Sequence, residues 1–316
     1  MEHRLYLSII LLLTGLSLQA QSYMVLSNED FGSRLTMFLD SEAFPMKSID
    51  KEVLRITYDC FWGFQEEQAG GKGKTITMQL GNDIVVIAGE TIPSKGINAK
   101  YILQVGTSYS KFLSTSRHGS DSVFLSGGKN SQAARFFSEK ANALFSQDCY
   151  YIEQKSNRLC FTGRLAADDF SYEETLETIK WTIRDSCMVI CNYPCRLATG
   201  EFRGKIYNVW FAEDLAISAG PWKLGGLPGI ILKAEDDIGK VCFSAINIEI
   251  GGGSNIVKTD YPYISISRHQ YFKLLKQMRE DPALFSAMHT SRSAAVVVLN
   301  ENHTPTSLPA MTALEH

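Results

Sequence analysis

Apolar and polar residues alternate along several short stretches of this 316-residue chain, as they do in half-buried strands. Leu54, Ile56 and Tyr58 give the clearest early example, with a polar residue between each pair. Before residue 180, further runs predict strands at residues 84–88, 101–106, 150–153 and 159–162. We expect the last two strands to form a hairpin, because polar turn residues separate them.

After Trp181 the pattern becomes a series of short strands separated by turn residues, which is typical of an antiparallel meander. The predicted strands cover residues 180–185, 188–192, 196–199, 205–211, 230–234 and 241–250. The predicted turns lie at residues 199–201, 225–229 and 236–239, and the glycine-rich residues 251–254 end the series.

Helical periodicity occurs in three places. Residues 21–50 carry a weak pattern, and residues 131–145 carry a clearer one. The third helix is the best marked, because Ser267 and Gln270 form a capping box and Pro282 stops the helix. Its apolar face consists of Tyr271, Leu274, Leu275 and Met278.

These patterns predict a mainly β fold of the α+β class, built as an antiparallel curved sheet or partial barrel with a few covering helices. With 45% hydrophobic residues, the chain can bury a sizeable core. We expect a signal peptide at residues 1–20, an N-terminal extension at 21–50, a β-rich domain at 51–299 and a disordered tail at 300–316.

The most distinctive stretch is residues 220–231, where a tryptophan and branched apolar residues surround a Pro-Gly step. Proline presets φ at the second position of a type II turn, and glycine accepts the positive φ of the third position. We therefore predict a type II turn at Pro228 and Gly229, held against the core and followed by a strand. The alternative is a solvent-facing recognition loop. The residues of this motif are Gly220, Pro221, Trp222, Gly226, Leu227, Pro228, Gly229, Ile230 and Ile231.

This motif resembles the signature of the GLPGLI family, with Ile230 where the family usually has leucine. The resemblance covers roughly residues 54 to 250 and includes Trp181, the Tyr193-Pro194-Cys195 step, residues 202–205, 209–211, 101–106 and 110–112. The Leu215-Ala216 step departs from the family's Ile-Pro. The resemblance implies a secreted protein of Bacteroidetes-type bacteria with no established activity. It also implies a possible association with outer-membrane transport systems.

The first twenty residues have the pattern of a secretory signal. Arg4 supplies a charged start, an apolar run follows to Leu18, and Leu18-Gln19-Ala20 is a plausible cleavage site. The alternative, a membrane anchor, is disfavoured because the run is short for a bilayer. We expect a periplasmic or secreted protein that is not an integral membrane protein. The formal net charge of −3, without a basic block, argues against nucleic acid as a partner.

Seven cysteines are present, and an oxidising envelope would allow some of them to pair. An odd number leaves at least one thiol free or linked to another chain. Cys195 is a candidate for a cross-strand disulfide to Cys242 or to another cysteine of the sheet, whereas several cysteines also fit the role of small core residues. Cys187, Cys191 and Cys195 are spaced by four, and we expect them to lie along a strand, too far apart to share a zinc ion.

No motif in the sequence carries catalytic chemistry. The histidines are scattered, and neither a His-Glu-x-x-His pattern nor a Gly-x-Ser-x-Gly elbow occurs. Trp181, Trp210 and Trp222 predict core, or alternatively an aromatic-lined concavity for a ligand. We therefore expect a non-catalytic binding or accessory protein without catalytic, cofactor or metal residues. Its partner would be an outer-membrane transport component or a small hydrophobic or peptide ligand. The alternative is an envelope enzyme, either a thiol-dependent oxidoreductase or a metal-assisted hydrolase.

Overall fold

The computed structural model describes residues 46–63, 75–80, 83–88, 96–115, 117–118, 148–165, 168–280 and 296–298. The predicted signal peptide, the helical patterns at Phe31–Leu39 and 131–145, and the tail lie outside these residues. The described part contains no helix long and apolar enough to cross a membrane.

The described residues form seventeen strands and one helix. The first nine strands are β1 Met46–Lys51, β2 Leu54–Gly63, β3 Thr75–Leu80, β4 Asp83–Ala88, β5 Gly96–Val105, β6 Tyr109–Ser114, β7 Cys149–Glu153, β8 Arg158–Leu165 and β9 Asp168–Thr175. The remaining elements are β10 Thr182–Ile190, β11 Tyr193–Phe202, β12 Lys205–Ala212, β13 Ile230–Asp236, β14 Val241–Ile250, β15 Asn255–Thr259, β16 Ile264–Ser265, α1 Arg268–Glu280 and β17 Val296–Val298. The mainly β prediction is confirmed.

Twelve strands form one large sheet in the order β10-β11-β12-β13-β14-β2-β5-β6-β7-β8-β9-β16. All neighbours pair antiparallel except β16, which runs parallel to β9. The strands β1 and β15 form a separate antiparallel ribbon, and β17, β3 and β4 form a three-stranded sheet. The predicted meander therefore continues well beyond residues 181–250.

The large sheet is strongly curved. The rings of Phe112 on β6 and Phe243 on β14 have centroids 6.1 Å apart, although β2 and β5 lie between their strands. In a flat sheet, three strand steps would separate them by roughly 14 Å. The hydroxyl of Tyr58 on β2 likewise reaches across β14 to donate to the carbonyl oxygen of Ile231 on β13, at 2.6 Å. The curvature encloses one large core on the inner face of the sheet.

A second, smaller cluster lies on the outer face. Ile102, Leu113, Cys149 and Tyr151 pack there, with Ile49 of the β1–β15 ribbon against them. Lys111 is buried below the ribbon and donates from Nζ to the carbonyl oxygen of Val257 on β15, at 3.0 Å. This bond joins the ribbon to the sheet.

The helix α1 covers the β8–β9 end of the inner face. Its capping box is formed as expected: the Ser267 amide donates to Gln270 Oε1 at 2.8 Å, and the Gln270 amide donates to Ser267 Oγ at 3.2 Å. Tyr271 is buried and meets Phe161 of β8 edge to face, with centroids 4.9 Å apart. Leu275 and Met278 are buried too, and Leu274 is half-buried.

Several predicted boundaries are wrong. The predicted strands 180–185 and 188–192 form one strand, β10. The turn expected at residues 199–201 lies instead at Arg203 and Gly204, whose φ values are 54° and 71°. Gly200 is inside β11, where a Cβ would lie 2.6 Å from the Trp181 ring. The glycine therefore makes room for a tryptophan and does not mark a turn.

Tyr58→Phe tests the bond that crosses the curved sheet. Tyr58 is fully buried, so losing its hydroxyl leaves a buried acceptor without this donor. We expect the free energy of unfolding in urea to fall by roughly 1–2 kcal/mol. Tyr109→Phe is the control, since its hydroxyl makes a partly exposed contact of 3.4 Å with Glu153. Equal losses in the two variants would contradict this role for Tyr58.

Candidate functional site

The motif stretch belongs to a connection, residues 213–229, between β12 and β13; we call it the motif loop. Trp222 and Leu227 of this loop are buried, as expected. The Trp222 ring meets Phe202 with centroids 5.6 Å apart, and Trp181 Nε1 donates to the carbonyl oxygen of Gly225 at 2.7 Å. The motif loop thus fills part of the hollow that the curved sheet creates.

The type II turn predicted at Pro228 and Gly229 is wrong. Gly229 does not have positive φ; the positive values in this loop belong to Trp222, at 55°, and Gly226, at 87°. Gly229 is needed for a different reason. A Cβ there would lie 2.2 Å from the carbonyl oxygen of Ala212, so only glycine allows the loop to pass this close to the end of β12.

Lys223, next to Trp222, carries the only charge at the buried centre of the motif loop, residues 219–224, and its side chain is 0% exposed. Its Nζ lies 2.5 Å from Glu174 Oε1 and 3.2 Å from the Tyr172 hydroxyl. It also lies 5.4 Å from the centroid of the Tyr172 ring and 5.7 Å from that of Trp222. A buried ammonium requires such compensation, here a carboxylate and the faces of aromatic rings.

Glu174 also pairs with two further cationic side chains. Arg203 donates from Nη2 to Glu174 Oε2 at 2.7 Å, and Arg268 Nε lies 3.7 Å from the same oxygen. We call Glu174, Lys223, Arg203 and Arg268 the charged cluster. Its members come from β9, the motif loop, the β11–β12 turn and the start of α1. The cluster therefore joins four separate parts of the chain.

Burial alone would raise the pKa of Glu174. The charges and hydrogen bonds of Lys223 and Arg203 outweigh that effect and hold the pKa below its ordinary value of 4.5. Glu174 is therefore ionised at neutral pH, and within the described part of the chain its one negative charge faces three positive ones.

A cleft of about 710 Å³ opens beside the charged cluster. Its walls are residues 177–180, which lead from β9 to β10, and residues 201–204 at the β11–β12 turn; Arg268 completes it. Arg203 and Arg268 thus belong both to the cluster and to the cleft. The size is within the range of small-molecule sites. The cleft is the candidate functional site.

Sequence analysis missed Glu174, Arg268 and Lys180 as site residues. Glu174 could have been found, because Phe170, Tyr172 and Glu174 alternate along β9 and so share one face of the strand. The acidic pairs Asp168-Asp169 and Glu173-Glu174 make this stretch resemble a polar connection, so the strand was not predicted. The position of Arg268 and Lys180 beside the β11–β12 turn depends on the tertiary fold, and no local pattern indicates it.

Each of the seven cysteines is a free thiol. The disulfide suggested between Cys195 and Cys242 is absent, and β12 and β13 lie between their strands. Burial raises the pKa of Cys195 to about 11. It also raises the pKa values of the Cys60, Cys191 and Cys242 thiols. These four thiols are therefore less ionised than ordinary cysteines, and less nucleophilic.

The expectation that Cys187, Cys191 and Cys195 lie along one strand is wrong. Cys187 is on β10 and Cys195 on β11, and Cys191 occupies the two-residue turn between them. Cys191 and Asn192 have φ values of 49° and 67°, which suit a tight hairpin turn. Within the described ranges, no three His, Cys, Asp or Glu side chains group as metal ligands.

Gly229→Ala tests the close approach of the motif loop to β12. Its methyl group would meet a backbone atom that cannot move aside cheaply. We expect the free energy of unfolding to fall by about 1–3 kcal/mol, as overpacking does. Gly225→Ala is the control, because its Cβ would meet nothing closer than 3.7 Å. Similar unfolding midpoints for the two variants would contradict the packing argument.

Glu174→Gln tests the charged cluster through pH. Because the folded-state pKa of Glu174 is lowered, its stabilising effect is present above the ordinary value of 4.5 and is lost as pH falls through the folded pKa. The variant should be less stable than wild type at pH 7, and the difference should shrink as pH falls below 4.5. Urea unfolding at a series of pH values measures this. Glu173→Gln, whose ion pair with Arg158 is exposed, is the control. A difference that did not change with pH would rule out the charged role.

Comparison with known proteins identifies no family. No family model matches the chain, and no curated protein matches it. Solved structures that resemble it include PNGF-II in two crystal forms, at 14% identity, with TM-scores of 0.45 in the P21 form and 0.43 in the C2 form. The match covers 72% of this chain and 34% or 33% of those chains, so the chain spans about a third of their length. At these scores the likeness supports no conclusion about function, and membership of the GLPGLI family stays a prediction.

Proposed function

We propose that the protein is a non-catalytic binding or accessory protein of the bacterial cell envelope, secreted or periplasmic, and that it binds its ligand in the cleft beside the charged cluster. The observation that carries the proposal is the cleft itself. It is a concave site of about 710 Å³ with charged side chains from three separate segments around it. The apolar run and Leu18-Gln19-Ala20 support export.

The charged cluster beside the cleft favours binding over catalysis. Two of its charged groups, Arg203 and Arg268, are fixed to Glu174 by ion pairs. Glu174, in turn, has a lowered pKa and so stays ionised near neutral pH. A general acid or base works best with a pKa near the working pH, which is the opposite shift for a carboxyl group. Guanidinium groups held in one orientation suit recognition.

The alternative of a thiol-dependent enzyme has weaker support. Such an enzyme needs a thiol that ionises readily, and the pKa values of Cys60, Cys191, Cys195 and Cys242 are raised by burial. The cleft lining includes none of the seven cysteines. Nothing in the cleft therefore points to thiol chemistry.

The proposal is tested by purifying the protein from the envelope fraction of the organism that makes it and measuring its mass under native and denaturing conditions. We expect a chain that begins at or near Gln21 and a small-molecule adduct that is present only under native conditions. The double variant Lys180→Gln with Arg268→Gln should lose most of the adduct, because both side chains line the cleft.

Lys100→Gln is the matched control, since Lys100 pairs with Asp59 on the exposed side of β5 and β2, away from the cleft. It should keep the adduct. An intact Met1 in the envelope fraction would contradict export. An adduct retained equally by all variants, or absent from wild type, would contradict binding in the cleft.

A further inference from the structure

The charges around the cleft differ in how far they are exposed to solvent. The carboxylates that line it, Glu177 and Glu201, are exposed at its rim. The cations Arg203 and Arg268 are less exposed, with side chains 9% and 24% exposed, and we call these two residues the floor of the cleft. Water and salt screen exposed charges much more than partly buried ones. The floor of the cleft is therefore more positive than a count of its charges suggests.

Glu174 does not cancel the positive charge of the floor. It carries one negative charge and pairs with Lys223 as well as with Arg203 and Arg268. Lys223 is completely buried, so it takes the larger part of that compensation at 2.5 Å. Lys180 adds a further cation at the exposed wall of the cleft. Counted over the described residues, the cluster and the cleft together have four cations and three carboxylates, an excess of one positive charge.

The geometry points to a ligand with an anionic group: we propose that the cleft binds a small molecule through a carboxylate or a phosphate, held by Arg203, Arg268 and Lys180. This inference rests on the proposed binding function of the same cleft and narrows its ligand. Arginine binds both kinds of oxyanion through its planar fork of donors, and lysine adds a point charge.

The two arginines are held in place before any ligand arrives. The Arg203 guanidinium carbon lies 5.3 Å from the centroid of the Phe202 ring, and that of Arg268 lies 5.3 Å from the centroid of the Phe272 ring. Each is also paired with Glu174. Stacking on a ring and pairing with one carboxylate restrict both side chains, so binding an anion costs little conformational entropy.

A purely hydrophobic ligand fits this cleft poorly. Such a ligand would remove water from Arg203, Arg268 and Lys180 without replacing the hydrogen bonds that water made. Of the hydrophobic side chains at the cleft, Ile179 and Phe202 are already buried in the core. The cleft therefore suits an anionic ligand better than the small hydrophobic ligand expected from the sequence, an expectation that stays a prediction.

The experiment is calorimetric titration of the purified mature protein with inorganic phosphate, with acetate and, as a neutral probe, with glucose. We expect saturable binding of at least one anion, weakening as salt concentration rises, and no binding of glucose. The relative affinities of phosphate and acetate show which anionic group the cleft prefers. Thermal unfolding with and without the anion gives an independent measure of the same affinity.

Lys180→Gln and Arg268→Gln should each lower the affinity for the anion by about tenfold, which is the effect of losing one charge-assisted hydrogen bond. Lys180 is exposed, so its variant should fold normally. Lys100→Gln should bind like wild type. Reversal of charge in Lys180→Glu should weaken binding further than Lys180→Gln does.

Failure of this inference is distinct from failure of the proposed function. If neither anion binds at concentrations up to about 10 mM, the anionic ligand is ruled out. A dissociation constant of about 10 mM corresponds to a binding free energy of about −2.7 kcal/mol. The anionic ligand is also ruled out if all four variants bind the anion as tightly as wild type does. The anion would then be an adventitious ion bound elsewhere. A native adduct lost in the cleft variants would in that case still support the binding function, with an uncharged ligand.

Discussion

The contact between Lys223 and Glu174 connects two parts of this protein that lie far apart in its large sheet. Lys223 belongs to the connection between β12 and β13, and Glu174 lies on β9, close to the opposite edge. An ammonium group with no exposed surface is stable only beside a carboxylate or comparable compensation. For the pair to form, the sheet must curve until β9 faces the loop between β12 and β13.

Curvature of this degree leaves a hollow that strands alone do not fill. The motif loop fills one side with Trp222, Leu224 and Leu227, and α1 covers another with Tyr271 and Leu275. The loop comes so close to β12 that a side chain at Gly229 would overlap Ala212. Packing inside a curved sheet thus accounts for Leu227 and Gly229 of the Gly-Leu-Pro-Gly order, whereas Gly226 has a positive φ of 87° and Pro228 is exposed. Pro228 and Gly229 do not form a type II turn, because Gly229 does not have positive φ.

Local sequence patterns were sufficient for much of this fold. Alternation at Leu54, Ile56 and Tyr58 predicted β2, and the Ser267–Gln270 capping box predicted the start of α1. Local patterns failed where contacts between distant parts of the chain determine the structure. Gly200 is in a strand because Trp181 packs over it, and the side chain that compensates Glu174 of β9 is Lys223, which lies 49 residues further along the chain. The cleft could not be predicted, since residues 177–180, residues 201–204 and Arg268 meet only after the chain has folded.

The same ion pair explains why the cleft lies where it does. Glu174 is placed by its pairing with Lys223, and its second oxygen then attracts Arg203 and Arg268 to the end of the sheet. A carboxylate shared among three cations leaves positive charge at the surface nearest to it, which is the floor of the cleft. A buried structural interaction and the charged surface of the cleft are therefore two parts of one arrangement. Any substitution that alters the buried pair should also alter the charge that a ligand meets.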